Sequence, residues 1–145
     1  ASTPGQGILK GSTGTYIYNS CSVTSAYGHY TFWNPNGAVG SISTSGSSTT
    51  YATSSDQRLK ENIVDAPSAI DSVNAIKVRS FDWKTDNSHV DYGYIAQELL
   101  EVAPEAVHVP ADPEEMMGVD FGKLTPRIIK ALQELSAKVT ALESK

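Results

Sequence analysis

The charged residues of this chain lie almost entirely in its C-terminal two thirds, and this asymmetry limits what each part can fold into. Residues 1–54 contain 28 glycines, serines and threonines and one charged side chain, Lys10, whereas residues 55–145 carry 10 basic and 16 acidic residues. With so few large aliphatic residues, the first part buries too little surface to offset about 1–2 kcal/mol of backbone entropy per residue. Two kinds of structure therefore meet near residues 45–55, a hydroxyl-rich stretch typical of a linker or an edge.

The first part has the composition of short strands. Thr15–Tyr18 and Tyr30–Trp33 are rich in β-branched and aromatic residues, and Asn34–Gly37 is a strong turn signal. Two states are open for residues 1–54: disorder, or strands from several copies that wrap around a shared axis. Seven of the twelve aromatic residues lie here, which favours wrapping because disordered segments are poor in them. The shared core would then hold five apolar residues, namely Ile17, Val23, Phe32, Val39 and Ile42.

The aromatic residues of the first part have two interpretations. Exposed rings offer apolar area with a polar tip and could form a sugar-binding surface, whereas buried rings would simply pack between strands. Hydrolysis of a glycan is excluded for this part, because it usually needs two carboxylates and residues 1–54 contain none. The residues concerned are Tyr16, Tyr18, Tyr30, Phe32 and Trp33.

Residues 55–145 have the pattern of a small α+β domain. Asp65 is a candidate cap and Pro67 a first-turn proline, which predicts a helix over 66–75. Residues 78–84 alternate in side-chain type and residues 90–96 look like a returning strand, so together they predict a β-hairpin. A helix over 97–102, stopped by Pro104, and a brief strand over 107–109 would follow.

The C-terminal segment from Leu124 onward is the clearest predicted helix. Its apolar positions are separated by 4, 3, 4 and 3 residues, which is the a/d stripe of a coiled coil. The stripe consists of Ile128, Leu132, Leu135, Val139 and Leu142. Fewer than three heptads are marginal alone, so the helix either packs on its own domain or joins copies in a bundle. The need of the first part for copies favours a bundle of two or three chains.

Composition excludes several classes of function. A net charge of −5 disfavours nucleic-acid binding, and no apolar run approaches the ~20 residues of a membrane span. The start does not resemble a signal peptide, and Cys21 is the single cysteine, so no intrachain disulfide forms. The three histidines, His29, His89 and His108, lack metal-ligand spacing, and we expect neither a metal nor a cofactor.

Candidate catalytic residues lie at the junction of the two parts, in Ser55–Lys60. A hydroxyl lies five residues before a lysine, within reach if the chain turns, and serine with lysine is a known nucleophile and base pair. Lysine side chains ordinarily titrate at about pH 10.4, so a lysine base needs burial or neighbouring positive charge. Arg58 could supply the charge, with Leu59 and Ile63 as apolar surroundings. The spacing is also common by chance, and a solvated loop capped by Asp56 explains it equally well.

Five segments, in this order, resemble one known family. They are Ser55–Ile63, Val90–Glu98, Pro104–Val107, Val119–Leu124 and Ile128–Leu135. Together they are similar to the C-terminal intramolecular chaperone domain of bacteriophage tailspikes, tail fibres and endosialidases, a self-cleaving serine peptidase family. The serine, aspartate, arginine and lysine of Ser55–Lys60 are the specific element of this resemblance.

The resemblance implies a function and a set of site residues. Ser55 would be the nucleophile, Lys60 its base or proton shuttle, and Ser54–Ser55 the scissile bond. His89 would assist, although a hairpin-turn histidine with no catalytic part is the alternative. Residues 1–54 would end a β-rich fibre shaft or tip, and residues 55–145 would be the chaperone and autoprotease.

The resemblance also implies partners and a location. The chain would form a homotrimer, bring its own upstream fibre segment into register and then cut itself off. The fibre would belong to a virion tail fibre or tailspike, while the chaperone part would act in the infected bacterial cytoplasm and be absent from the mature virion. The competing hypothesis is an uncleaved, permanently retained trimeric fibre tip that binds a host glycan through the aromatic residues.

Overall fold

The computed structural model describes the backbone of residues 5–10 and 15–144 and the side chains of residues 19–144. The chain divides into two compact units, Ala1–Ile63 and Val64–Lys145. Small sheets combined with helices, the longest of them at the C-terminus, confirm the mixed α+β class. The trimeric arrangement and the functional boundary between residues 54 and 55 stay predictions.

In the described part of the first unit, five strands form two antiparallel sheets. Strands β1 (Gly5–Lys10) and β2 (Thr15–Ser20) make one, and β3 (Tyr27–Asn34), β4 (Gly37–Ser45) and β5 (Ser48–Thr53) make the other in that order. The predicted turn at Asn34–Gly37 is confirmed, because it joins β3 to β4. Gly46 has a φ of 56°, a left-handed conformation that suits the tight β4–β5 turn. The hydroxyl-rich stretch thus contains an edge strand, as expected.

A close approach between β4 and β5 fixes how these strands pair. A Cβ atom at Gly40 would lie 2.9 Å from the backbone oxygen of Ala52 and 3.6 Å from the ring of Phe32. The pairing sets Gly40 opposite Thr53 and Ile42 opposite Tyr51. A larger residue at position 40 would therefore push the two strands apart.

The described side chains of the first unit form no buried core. None of residues 19–63 is buried, and Phe32 and Tyr51 are 53% and 78% exposed. The side chains of Tyr16, Ile17 and Tyr18, which the sequence assigns to the aromatic surface or shared core, lie outside the described residues.

The second unit alternates short strands and helices. Its elements are α1 (Ile70–Ala75), β6 (Arg79–Asp82), β7 (His89–Gly93), α2 (Ala96–Leu100), β8 (Val107–His108), β9 (Gly118–Val119) and α3 (Thr125–Glu143). β6 pairs with β7 and β8 with β9, both antiparallel. The predicted hairpin, the helix before Pro104 and the long C-terminal helix are confirmed, with somewhat shorter strands.

A small core holds the second unit together. Ala103 and Ala106 are fully buried, and Leu99 and Leu124 are 3% and 2% exposed. Partly buried residues pack against this cluster, namely Ile76, Tyr94, Val107 and Val119. The start of α3 is fixed here, since the Arg127 guanidinium contacts the backbone oxygen of Val102 and pairs with Glu105.

Helix α1 begins later than the sequence predicts. The expected start at residue 66 with Asp65 as the cap was wrong, because the helix starts at Ile70 and the Glu134 carboxylate caps it from α3; the expected end at Ala75 is confirmed. Glu134 accepts hydrogen bonds from the Ser68 hydroxyl (2.9 Å) and from the N–H groups of Ala69 (3.1 Å) and Ile70 (3.3 Å). These donors, the Ser68 hydroxyl first, lower the pKa of Glu134. A cap supplied from so far along the chain leaves no local sequence signal.

Candidate active site

The residue before the candidate nucleophile is held against strand β4. Ser54 follows the end of β5, and its N–H donates to the oxygen of Val39 at 3.0 Å, which extends the strand pairing by one residue. Its hydroxyl donates to the neighbouring oxygen of Ala38 at 2.9 Å. Ser54 is therefore attached to the sheet by both its backbone and its side chain.

A short 3₁₀ turn (Gln57–Leu59) follows and reverses the chain. Asp56 caps it, because its Oδ1 atom accepts from the Arg58 N–H at 2.9 Å. The Lys60 N–H donates to the oxygen of Gln57 at 3.0 Å, which closes the turn. The chain therefore makes the turn that a contact between Ser55 and Lys60 requires, and Asp56 caps it as in the solvated loop that was the non-catalytic alternative.

This turn brings the candidate nucleophile and base together. The ammonium group of Lys60 donates a hydrogen bond to the Ser55 hydroxyl oxygen, with 2.7 Å between Nζ and Oγ. That distance is within the range over which a base can take a hydroxyl proton. Both residues are exposed.

The surroundings of Lys60 differ from those the sequence suggests. Arg58 pairs through Nη2 with Oδ2 of Asp56 at 2.7 Å and through Nε with Oδ1 at 3.0 Å, so its charge is already balanced. The same contact lowers the pKa of Asp56 and raises that of Arg58. Leu59 and Ile63 are 66% and 63% exposed. The first unit by itself therefore supplies neither free positive charge from Arg58 nor an apolar enclosure from these two residues.

His89 lies in the second unit, on β7, among polar groups of its own hairpin. Its Nδ1 atom lies 2.6 Å from Oδ1 of Asp82, and its Nε2 atom lies 3.2 Å from Oγ of Ser80 and 3.3 Å from Oδ1 of Asp91. Sequence reasoning missed these three partners. The signal was present in the alternation, because positions 80 and 82 on β6 and 89 and 91 on β7 share one face of the hairpin.

The predicted a/d stripe of α3 is exposed along its whole length. Ile128, Leu132, Leu135, Val139 and Leu142 are between 44% and 69% exposed. The helix contacts its own unit through other positions, with Ala131 buried and Glu134 bound to the start of α1. The stripe is thus separate from the face that packs against the second unit.

The described residues contain neither a candidate metal site nor a candidate membrane-spanning helix. Residues 5–10 and 15–144 contain no cluster of three or more histidine, cysteine, aspartate or glutamate residues able to hold a metal ion. No helix within the same residues has the length and apolar character needed to span a membrane.

One family match covers the candidate site. The Peptidase S74 family model, described as the chaperone of endosialidase, matches residues 55–108. The match includes Ser55, Lys60 and His89 and ends before α3. A comparison with curated proteins found no match. The match confirms, for residues 55–108, the resemblance to the C-terminal intramolecular chaperone domain of this peptidase family, whereas the segments Val119–Leu124 and Ile128–Leu135 lie outside it.

Proposed function

We propose that this chain is an intramolecular chaperone that trimerises, registers a phage tail fibre or tailspike, and then releases itself by autoproteolysis between Ser54 and Ser55. The observation that carries the proposal is the 2.7 Å contact between Lys60 Nζ and Ser55 Oγ at the first residues of the family match. The peptidase family supports the self-cleaving chemistry, and the chaperone description supports the assembly role.

Cleavage uses the backbone next to the nucleophile. The Ser55 Oγ atom attacks the Ser54 carbonyl carbon through a five-membered ring, and the C–N bond breaks as the C–O bond forms. Lys60, in its neutral form, takes the hydroxyl proton and delivers it to the leaving amine of Ser55. Water then hydrolyses the ester, which leaves a carboxylate on Ser54 and restores the Ser55 hydroxyl. Each chain cuts once.

Assembly provides what the isolated site lacks. A protonated lysine is not a base, and the Lys60 side chain is exposed in the single chain. Enclosure by neighbouring copies would exclude water and favour the neutral amine. Cleavage is then withheld until the copies are in place.

The exposed stripe of α3 supplies the contact between copies. Apolar side chains at a and d positions pack between helices of a trimeric bundle. A bundle at the C-terminus fixes one register for strands that otherwise have many nearly equivalent pairings. It also replaces a three-body encounter with a local one at high effective concentration. After the cut, the chaperone remains in the infected cytoplasm and the virion keeps the fibre.

Substitutions of the two site residues test this proposal on a denaturing gel and by intact mass. We expect Ser55→Ala to give an uncut, full-length chain that still forms trimers. Lys60→Ala should slow cutting severely, and Lys60→Arg should do the same, because arginine can donate to Ser55 but does not give up its proton. Lys84→Ala is the matched control and should cut normally. Normal fragments from Ser55→Ala would overturn the assignment of the nucleophile.

A retained fibre tip that binds glycans is the second candidate. The exposure of aromatic residues on and beside β3 favours it, with Tyr27 47%, Tyr30 40%, Phe32 53% and Trp33 72% exposed. Rings of this kind can stack on sugar faces. Binding on a glycan array by an uncut trimer, lost in Trp33→Ala, would support this candidate over self-release.

A further inference from the structure

We propose that Ser54 is a positioning residue, which holds the scissile carbonyl for attack and makes cleavage depend on the pairing of β4 with β5. This inference rests on the proposed function, since it concerns the regulation of the same site. It is carried by the two hydrogen bonds from Ser54 to β4, one from its N–H to Val39 O (3.0 Å) and one from its hydroxyl to Ala38 O (2.9 Å).

These two bonds act on the atom that is attacked. The scissile carbon is bonded to the Ser54 Cα, so φ and ψ of Ser54 set how the scissile peptide is oriented on the sheet, while φ and χ1 of Ser55 set the distance from the Ser55 Oγ atom to that carbon. The N–H bond to Val39 fixes the preceding peptide plane, and the hydroxyl bond to Ala38 fixes the direction of the side chain. The Lys60 contact meanwhile holds the Ser55 hydroxyl. Sheet β4 thus positions the electrophile while Lys60 positions the nucleophile.

The same contacts distinguish two adjacent serines. The Ser54 hydroxyl is engaged as a donor to Ala38, whereas the Ser55 hydroxyl accepts from Lys60. Attack by Ser54 on the preceding carbonyl would require breaking its bond to the sheet. The geometry therefore restricts cutting to the Ser54–Ser55 bond.

Pairing of β4 with β5 is a condition for the contact to Ser54. The oxygens of Ala38 and Val39 meet Ser54 only in the register that sets Gly40 opposite Thr53. A slip of one residue would turn every side chain of β5 to the other face and remove the hydroxyl bond. This register requires glycine at position 40, because a Cβ atom there would lie 2.9 Å from the backbone oxygen of Ala52. Cutting thereby reports that the sheet at the end of the fibre segment has formed.

Cleavage rates of full-length variants test the inference. We expect Ser54→Ala to cut about 10-fold more slowly or worse, since misplacing reacting atoms by ~1 Å can reduce a rate about 100-fold. Ser54→Thr keeps the hydroxyl and should recover the rate to within a few fold. Ser48→Ala is the control, because its hydroxyl binds Ser45 O at the far end of β5, and its rate should be unchanged. Gly40→Val should abolish cutting although Ser55 and Lys60 are intact.

Hydroxylamine distinguishes an effect on the acyl shift from an effect on ester hydrolysis, because it cleaves the ester directly and makes the hydrolysis step unnecessary. Ser54→Ala should stay slow in hydroxylamine if the acyl shift is what Ser54 assists; full recovery would overturn the positioning role. An equal rate in Ser54→Ala and wild type would overturn the inference while leaving self-cleavage standing. An uncut wild-type trimer would overturn the proposed function and this inference together. Equal slowing by Ser54→Thr would show that the hydroxyl is irrelevant and would also overturn it.

Discussion

The two compact units of this chain differ in how they bury apolar surface. The second unit has its own core, in which Leu99, Ala103, Ala106 and Leu124 are no more than 3% exposed. In the first unit none of residues 19–63 is buried, although β3, β4 and β5 are hydrogen-bonded side by side in a three-stranded sheet. Hydrogen bonding between backbone groups without burial of apolar side chains offsets less of the conformational entropy of the chain than a buried core does.

This difference gives a reason for attaching a chaperone to the first unit, which has no buried core among its described side chains. We propose that this sheet, whose aromatic residues remain exposed in the single chain, gains its apolar contacts from other copies. The second unit can fold first because its core is internal to one chain. We infer an order of events in which the second unit folds, trimerises through α3, and then brings three copies of the first unit together.

The largest expected effect is a loss of stability when the core of the second unit is truncated. Leu124→Ala should lower the free energy of unfolding of this unit by about 2–5 kcal/mol, because it leaves a cavity at a fully packed position. Urea unfolding followed by helical circular dichroism measures this loss. Met116→Ala is the control, since this side chain is 89% exposed and should change stability by no more than about 0.5 kcal/mol. Equal losses in both variants would contradict the claim of a core that belongs to one chain.

The next effect concerns association of the copies. Leu135→Lys places a charge in the exposed stripe of α3 and should convert trimers to monomers in sedimentation, with the second unit still folded. Gln133→Lys adds the same charge on another face of the helix and should remain trimeric. Trimers that persist in Leu135→Lys would remove α3 from the account of assembly.

A smaller effect is expected at the contact between α1 and α3. Glu134→Gln weakens the cap on the start of α1 and should lower the thermal midpoint of the second unit by less than Leu124→Ala does. Glu143→Gln makes the same change at the end of α3, away from α1, and serves as the control. Identical midpoints for the two variants would show that the cap from Glu134 contributes no stability.

The smallest effect is a pH dependence in the second unit. The Arg79 guanidinium, with help from Lys77, lowers the pKa of Glu98 from 4.5 to about 2. A lowered pKa stabilises the folded state above the unfolded value, so this stability should be lost as the pH falls from 4.5 towards 2. The pair is partly exposed, which keeps the effect small. Thermal scans of Glu98→Gln should show a flatter dependence in that range, and an unchanged slope would contradict the assignment.

Much of the candidate site could be predicted from residue spacing. The five-residue separation of Ser55 and Lys60 suffices for a contact once Asp56 caps a turn, and both signals are local. The long helix was predictable for the same reason, because its periodicity and the proline at its start lie within one segment. Local chemistry therefore gave correct predictions where the structure depends on local contacts.

Two features that the sequence did not reveal depend on distant residues. The cap on α1 comes from Glu134, more than sixty positions away, and the anchors of Ser54 come from the neighbouring strand. In these two cases a tertiary partner decides the role of a side chain, and residue type alone does not identify that partner. Arg58 is a different case: it could have supplied positive charge beside Lys60, but it is engaged by Asp56, only two residues away, in a local contact that sequence reasoning missed.

Intact mass of the purified chain under denaturing conditions decides whether the chain releases itself between Ser54 and Ser55. We expect two fragments from the wild type, the C-terminal one beginning at Ser55, and a single full-length mass from Ser55→Ala, with trimers in both preparations. A wild-type trimer that shows only the full-length mass, even after prolonged incubation, would contradict self-release.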